Sequence, residues 1–346
     1  MKSHGRDAKV ADSHGSWSGS MARGFLVAVL SSVSWGIGNT ITKYSADKYS
    51  TGHGTSAVID VSLANYIGGC ITLLVVSWLI NERRKSHEAG PSLTVAPRKN
   101  MIIPAFMKAC NTYAFVASVA LVSAGTAATL ENLNVLWTTI FTSIVARKFL
   151  HWSWFLSALI VIVGTSLVVG LSPNVGIKSH AIAGIILAII AGLTFSGFIV
   201  TWRPAQLNTD YLPQRGIETS VFLAMAMLGM LFIHYVIGKE LFGGSWIPLT
   251  TIRPSDLLLQ IANGTFNVGL TYFLMAQAYR IMAESGVMAS VLLSLGVSFS
   301  VLFTVISGWL ILRAPIVPLQ ILGVVVFSIG FASVQAATKT DKAQDV

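Results

Sequence analysis

Long apolar runs, separated by short polar or Gly/Pro-rich breaks, dominate the chain. A helix needs about 20 mostly apolar residues to cross the hydrocarbon core of a bilayer, and runs of that length occur ten times. They lie at roughly 22–44, 56–80, 101–123, 126–147, 152–171, 180–202, 216–238, 256–279, 285–309 and 314–336. Because the gaps are too short for a soluble domain, the pattern predicts an all-α integral membrane protein with ten transmembrane helices.

Composition excludes the main alternatives. Of the 346 residues, 53% are hydrophobic and 11% are charged, whereas an ordinary soluble domain is about 25% charged. So few charges could not cover the surface of a soluble globule of this size, which excludes a soluble enzyme or a disordered protein. The two cysteines, Cys70 and Cys110, both lie in apolar runs, which argues against a disulfide framework and against a Cys-based metal site.

The sequence contains none of the common enzyme motifs that we sought. HExxH, GxSxG and GxxxxGK[ST] do not occur, and no His/Cys cluster has the spacing of metal ligands. We therefore expect no catalytic residue, no cofactor, no metal site and no enzymatic activity. The expected partners are a small-molecule substrate and the lipid bilayer.

Basic residues lie mostly on one side of the predicted topology. With the N-terminus in the cytoplasm, sixteen of the 23 Lys and Arg residues fall in inside segments and six in outside segments, as the positive-inside rule expects. The net charge of +9 is therefore a topology signal. Nucleic-acid binding is not expected, since there are only short loops. We expect a multi-pass protein of the cell (inner or plasma) membrane with both termini cytoplasmic.

Weak internal similarity divides the chain into two halves. Trp35 and Phe195 each precede a base by eight positions and lie 160 positions apart, and Asp60 and Glu218 open similar segments 158 apart. The consistent offset predicts two five-helix repeats, 22–171 and 180–336, between a disordered tail (1–21) and a C-terminal tail (337–346). Five is odd, so the repeats must be inverted, a feature of transporters. Chance similarity among apolar helices is the alternative.

Two ionisable residues lie at bilayer depth. Lys108 is in the third predicted span and Glu131 in the fourth; charges there cost about 2.5–3.5 kcal/mol and are functional-site candidates by default. The spans are joined by a tight turn near 123–126, so they should be antiparallel neighbours. At about 1.5 Å per residue the two positions differ in height by about 10 Å, a gap that long side chains or a ligand would bridge.

Together the two charges suit a zwitterion. Lys108 would bind a carboxylate or phosphate, and Glu131 would bind an ammonium group or carry a coupling proton. The alternative is a structural buried ion pair. Asp60 and Glu218 lie near helix starts, where the helix dipole favours a carboxylate, so a structural role is the simpler interpretation for them.

Polar residues recur at helical spacing on several spans, which predicts a wet central cavity. Hydrogen bonding between helices is the alternative explanation for such residues. In the cavity interpretation, the expected substrate-binding residues are Lys108, Glu131, Asn111 and Asn134, with Asn263 and Asn267 facing them from the second half and Trp35 and Asn39 near the mouth.

The segment from Trp35-Gly36 to Lys43, the ten spans and the five-plus-five repeats resemble the drug/metabolite transporter superfamily, specifically its EamA-like members. The resemblance implies a central cavity lined by the first four spans of each half, alternating access, and export of metabolites or amino acids, often coupled to protons. It also implies that the last span of each half serves as scaffold or dimer contact, so a monomer or homodimer is expected.

The chain departs from that family at several motifs, which makes it a divergent member. Where EamA-like halves usually carry Glu-Pro, this sequence has Asn134-Val135 and Gly296-Val297. The predicted function is a secondary active transporter of a small polar metabolite, with an amino acid or another zwitterion as a fitting class. The alternatives are a sugar- or phosphate-compound carrier of the same superfamily, or a non-transporting membrane protein such as a sensor, scaffold or channel.

Overall fold

The computed structural model describes residues 19–85, 93–95, 98–121, 127, 130–147, 152–169, 181–207, 209–238, 249–250, 252–286, 288–313 and 317–344. Within these ranges the chain forms helices and short connections and no strand. The all-α expectation is confirmed.

The α-helices follow one another in the order α1 (Gly19–Lys85), α2 (Lys99–Leu121), α3 (Asn134–Ala146), α4 (Trp152–Val169), α5 (Ala181–Gln206), α6 (Leu212–Ile233), α7 (Pro254–Gly264), α8 (Thr271–Ile281), α9 (Met288–Ser298), α10 (Ser300–Leu312) and α11 (Pro318–Gln344). A π-helical turn, His234–Gly238, continues α6, and the π-helical segment Thr265–Leu270 joins α7 to α8. A short 3-10 turn, Ala283–Ser285, follows α8.

α1 carries two membrane-length segments, a first limb (Gly19–Thr42) and a second limb (Ile59–Arg83). A straight helix would separate Thr42 from Asn65 by about 34 Å at 1.5 Å per residue. Instead, the Asn65 amide nitrogen donates to the Thr42 hydroxyl at 3.2 Å. The chain therefore reverses between the limbs, and they lie side by side as the first two predicted spans.

Each predicted span falls on a helical segment. Among the described residues, the segments long and apolar enough to cross a membrane are Gly19–Thr42, Ile59–Arg83, Ile182–Gln206, Leu212–Ile237 and Met288–Ile311. The segments Asn134–Ala146, Trp152–Leu167 and Pro318–Gly330 are apolar but shorter. The chain thus has the helices of a multi-pass integral membrane protein, and crossing by the remaining predicted spans stays a prediction.

The predicted tails differ from the structure at their inner edges. α1 begins at Gly19, and α11 continues to Gln344 through residues expected in the C-terminal tail. That stretch contains Ala, Lys and Gln, which are good helix formers, so the helix outlasts the apolar run that defined the predicted boundary. Residues 1–18 and 345–346 lie outside the described residues.

Apolar side chains are exposed on the outside of the bundle while polar ones are buried within it. Leu258 and Ile144 are each 67% exposed, whereas Thr138, Gln260 and Ser294 are fully buried. This is the reverse of a soluble protein. It fits a lipid environment, in which backbone and side-chain polar groups must find partners inside the protein.

The fourth and ninth predicted spans are interrupted in the same way. Helices α3 and α10 have equal lengths, 13 residues, and each follows a break in the α-helical hydrogen bonding, at Leu133 and at Phe299. Each also ends at an arginine in the left-handed conformation, Arg147 (φ 53°) and Arg313 (φ 54°). The breaks set α3 and α10 apart from the helical turns before them.

Helices α4 and α11 approach closely through glycines. A Cβ on Gly164 would lie 2.3 Å from the backbone nitrogen of Phe327, and one on Gly330 would lie 2.7 Å from that of Val161. The Ser333 hydroxyl donates to the Ser157 hydroxyl at 2.9 Å beside them. Small residues thus bring the two backbones together, as is common for membrane helices.

We expect the Gly164→Ala substitution to destabilise the protein by about 1–3 kcal/mol, because the added methyl group forces two backbones apart. The measurement is thermal unfolding of the purified protein in detergent, where the Tm should fall. Gly308→Ala is the matched control, since nothing lies within 4 Å of its Cβ position. A Gly164→Ala protein that unfolds at the wild-type temperature would contradict this packing.

Candidate functional site

Lys108 is buried in the middle of α2 between three aromatic rings. The side chain is 4% exposed. Its ammonium nitrogen lies 5.1 Å from the ring centre of Phe195, 5.5 Å from that of Tyr272 and 5.7 Å from that of Trp35. Ring faces attract cations, by about 2 kcal/mol where water is excluded. The rings come from α5, α8 and the first limb, so three helices enclose the charge.

Asn111, one turn beyond Lys108 on α2, accepts a hydrogen bond from the Lys108 ammonium at 2.5 Å through Oδ1. Its Nδ2 donates to Glu131 Oε1 at 2.8 Å and to the backbone oxygen of Ala191 at 3.0 Å. An ammonium can only donate, and a carboxylate or carbonyl only accepts. These partners therefore fix the orientation of the amide.

One amide thus joins the two intramembrane charges. The structure brings Lys108 and Glu131 together through the Asn111 side chain. Helices α2 and α3 make few direct contacts with each other, and α5 packs against both. The predicted turn at 123–126 lies outside the described residues. Glu131 is half-buried, at the start of the break that precedes α3, so its carboxylate sits where the helix is interrupted.

Asn134 connects this break to two other helices. Its Nδ2 donates to the Glu131 backbone oxygen at 3.1 Å, and its Oδ1 accepts from the Ser294 hydroxyl at 2.6 Å. The Ser196 hydroxyl donates to the Asn134 backbone oxygen at 2.9 Å. Asn134 therefore holds the Glu131 turn against α5 and α9.

The structure brings Asn263 and Asn267 into a second polar cluster, against the two limbs of α1. Asn263 Nδ2 lies 3.0 Å from the Gly38 oxygen and 3.1 Å from Asn65 Oδ1, and Asn267 Nδ2 donates to the Thr42 hydroxyl at 3.0 Å. Both Oδ1 atoms are buried without a donor among the described residues. The cluster is polar and retains acceptor capacity.

The first limb links the two clusters. Trp35, beside Lys108, lies one turn from Gly38, which contacts Asn267. On the opposing side Tyr272 follows the π-helical segment that carries Asn267. Asn39, also expected near the mouth, is half-buried on the first limb. The Lys108 site and the asparagine cluster are therefore adjacent along the same pair of helices.

Sequence reasoning missed Phe195 and Tyr272. Phe195 could have been found, because it occupies the position 160 residues after Trp35 in the repeat. Tyr272 has no repeat signal of that kind. The Tyr66 hydroxyl, 2.9 Å from that of Thr112, adds a further polar contact on α2 that the sequence did not single out. Among the described residues there is no group of three or more His, Cys, Asp or Glu side chains that could hold a metal ion.

Comparison with known proteins relates the chain to a transporter family. Residues 22–170 match the family model described as the EamA-like transporter family. The resemblance to EamA-like proteins is thereby confirmed. The match covers the first predicted half of the chain almost end to end, and the family is one of membrane transporters. The matched segment carries Trp35, Lys108, Asn111, Glu131 and Asn134.

Similarity to a solved structure extends beyond that half. A solved structure, described only as a crystal structure of a protein, superposes with a TM-score of 0.65 over 90% of this chain and 95% of that chain, at 12% identity. At this identity the likeness shows the fold alone. No curated protein matches the chain.

We expect Lys108 and Glu131 to be energetically coupled through Asn111. Replacing either residue alone leaves the other charge in the bundle without its opposite charge, which is costly, so Lys108→Met with Glu131→Gln should destabilise the protein by less than the sum of the single changes. Chemical unfolding of the two single variants and the double variant measures the coupling. The exposed pair Lys99→Met and Glu284→Gln is the control and should be additive; additivity at the buried pair would contradict the network.

Proposed function

We propose that the protein is a secondary active transporter that moves a small polar metabolite across the cell membrane by alternating access. The single observation that carries the proposal is a buried cation and a carboxylate sharing one amide, Asn111, among helices drawn from both predicted halves. Charges at this depth are costly and mark substrate pathways in membrane proteins. The proposed topology has ten spans with both termini cytoplasmic.

Contacts between helices support two inverted five-helix halves. A two-fold axis that relates such halves superposes the first span on the sixth and the third span on the eighth. A contact between the first and eighth spans therefore has its counterpart between the sixth and third spans. Gly38 of the first limb approaches Asn267, and Gly197 of α5 approaches Met107, at offsets of about 160 residues in both cases. The two pairs are the contacts that a two-fold relation would exchange.

Further contacts are consistent with the same relation. The second limb and α6 exchange hydrogen bonds reciprocally: Ser220 Oγ donates to the Cys70 oxygen at 3.0 Å, and Cys70 Sγ to the Ser220 oxygen at 3.5 Å. Asp60 accepts from the Leu249 backbone before α7, and Glu218 pairs with Arg98 before α2. The matching breaks before α3 and α10 complete the pattern.

The charges of the site fit a zwitterion such as an amino acid. In this proposal Lys108 binds the substrate carboxylate and Glu131 its ammonium group, with Asn111 and Asn134 contacting polar atoms between them. The asparagine cluster, Asn263 and Asn267, lines the path from the second half. Trp35 and Asn39 lie near its mouth on the first limb.

Glu131 is also the proposed site of a coupling proton. It is half-buried at an interrupted helix and bonded to an amide that also holds a cation. A carboxyl group there gains or loses a proton according to whether it faces substrate, so proton movement and substrate movement are linked at one atom.

We expect Glu131→Gln to abolish uptake driven by a pH gradient while leaving counterflow exchange intact, because exchange needs no net proton movement. Purified protein in liposomes, loaded with a zwitterionic amino acid found by a thermal-shift screen, provides both measurements. Glu284→Gln removes an exposed carboxylate as a control and should behave like wild type. A Glu131→Gln protein that responds fully to the pH gradient would exclude this proton site, and absent counterflow in wild type would exclude a carrier.

Lys108→Ala should weaken substrate binding about tenfold or more, because a hydrogen bond to a charged group is worth about 1.5–3 kcal/mol. The Kd of the substrate is measured by the same thermal shift, with Lys99→Ala, an exposed lysine of α2, as the matched control. Unchanged affinity in Lys108→Ala would assign Lys108 to structure alone.

A further inference from the structure

The amide of Asn263 faces more acceptors than it has protons. Its Nδ2 carries two protons. Four oxygen atoms surround that nitrogen: the Gly38 backbone oxygen at 3.0 Å, Thr42 Oγ1 and Asn65 Oδ1 at 3.1 Å, and Gln260 Oε1 at 3.4 Å. Two protons make at most two well-aligned hydrogen bonds, so the nitrogen lies in a shell of oxygens that it cannot fully satisfy.

Two further oxygens of the asparagine cluster lack donors. Within the part of the chain that the structure describes, Asn263 Oδ1 and Asn267 Oδ1 are buried and accept no hydrogen bond. The two side chains are 3% and 8% exposed. Both amide nitrogens contact the same hydroxyl oxygen, Thr42 Oγ1, at 3.1 and 3.0 Å. Since an amide oxygen lies about 2.3 Å from its own nitrogen, each Oδ1 is within about 5.5 Å of that hydroxyl.

The oxygens come from the first limb, the second limb and α7, which meet at this point. Asn65 Nδ2 lies 3.2 Å from both Thr42 Oγ1 and Gln260 Oε1, so one amide links the three segments. A Cβ on Gly264 would lie 2.1 Å from the Asn65 backbone oxygen. Regular α-helical winding ends there, because the π-helical segment Thr265–Leu270 follows. Backbone packing beside an interrupted helix therefore sets the spacing of the oxygens.

A metal cation satisfies such a shell better than protons do, because its attraction has no direction and reaches all the oxygens at once. A half turn of the Asn263 amide exchanges its oxygen and nitrogen without a change of shape, which places Oδ1 among the four oxygens. In an octahedral shell neighbouring ligands are about 1.4 times the metal–ligand distance apart, so the spacings of 3.0–3.4 Å correspond to metal–oxygen distances of about 2.1–2.4 Å. These oxygens are all neutral, whereas divalent ions in proteins draw on carboxylates.

We propose that the asparagine cluster is a binding site for Na⁺. The proposed ligands are the Gly38 backbone oxygen and the side-chain oxygens of Thr42, Asn65, Gln260, Asn263 and Asn267. K⁺ requires longer contacts than this spacing gives. Carbonyl oxygens at interrupted helices hold cations in other membrane proteins, and a search for His, Cys or carboxylate clusters does not detect a site built from neutral oxygens. Na⁺ binding is a property of the folded chain and does not depend on the transport proposal.

The test is a titration of purified full-length protein in detergent with NaCl, with N-methylglucamine chloride holding the ionic strength constant. KCl forms the second arm. The Tm rises when an ion binds the folded state, and equilibrium binding of radioactive Na⁺ measures the affinity directly. We expect Na⁺ to bind and to raise the wild-type Tm, and K⁺ to raise it less.

Two variants each remove one proposed ligand. Asn263→Leu removes the amide oxygen, and Thr42→Val removes the hydroxyl oxygen with little change of shape. Each should weaken Na⁺ binding about tenfold or more, because a contact with a full charge is lost. Asn81→Leu is the matched control, since Asn81 is a buried asparagine outside the cluster whose Oδ1 accepts from the Tyr211 hydroxyl at 2.7 Å. That protein should bind Na⁺ like wild type.

The proposal is overturned if Na⁺ neither binds nor raises the Tm, or if K⁺ acts as strongly as Na⁺. It is also overturned if Thr42→Val binds Na⁺ as tightly as Asn81→Leu. Should Asn263→Leu fail to fold, Thr42→Val decides the outcome, because it keeps every amide of the cluster. Neither measurement involves transport, so a failure here leaves the transport proposal untouched, and the reverse holds as well.

Discussion

A charged side chain within a bilayer must find its hydrogen-bonding partners in the protein, because the hydrocarbon supplies none. Lys108 and Glu131 meet this requirement through one amide, with Asn111 giving an acceptor to the cation and a donor to the carboxylate. The positions of α2, of α5 through Ala191, and of the turn before α3 therefore depend on one another. The interrupted helix is part of this solution, because it lets the Glu131 carboxylate meet the amide.

The rest of the bundle is assembled by close backbone approach and short polar contacts. A Cβ on Gly68 would lie 1.8 Å from the Ile261 oxygen, and one on Gly264 would lie 2.1 Å from that of Asn65. Such contacts are stabilised by van der Waals packing, since apolar burial gives helices little preference for one another over lipid. The second limb and α7 are consequently held as a unit although they come from different predicted halves.

Much of the helical layout could be predicted from apolar run length, and Lys108, Asn111 and Glu131 could be assigned to one site from neighbouring spans. The bridging role of the Asn111 amide could not be predicted. It involves the turn that carries Glu131, next to a helix break at Leu133 that no Gly or Pro marks. The periodic face of Asn263 and Asn267 was visible in the sequence. The contact of this face with Gly38 and Thr42 could not be predicted. Packing over the whole bundle decides which helix lies against a given polar face.

The π-helical segment between α7 and α8 makes the site depend on how the helix is wound as well as on its sequence. A π-turn holds one residue more than an α-turn, so every side chain after Leu270 is rotated by about one residue, or about 100°, relative to a regular helix. Tyr272 meets Lys108 in that rotated register. Regular α-helical winding of the same residues would turn the ring away, although every residue that touches Lys108 would still be present.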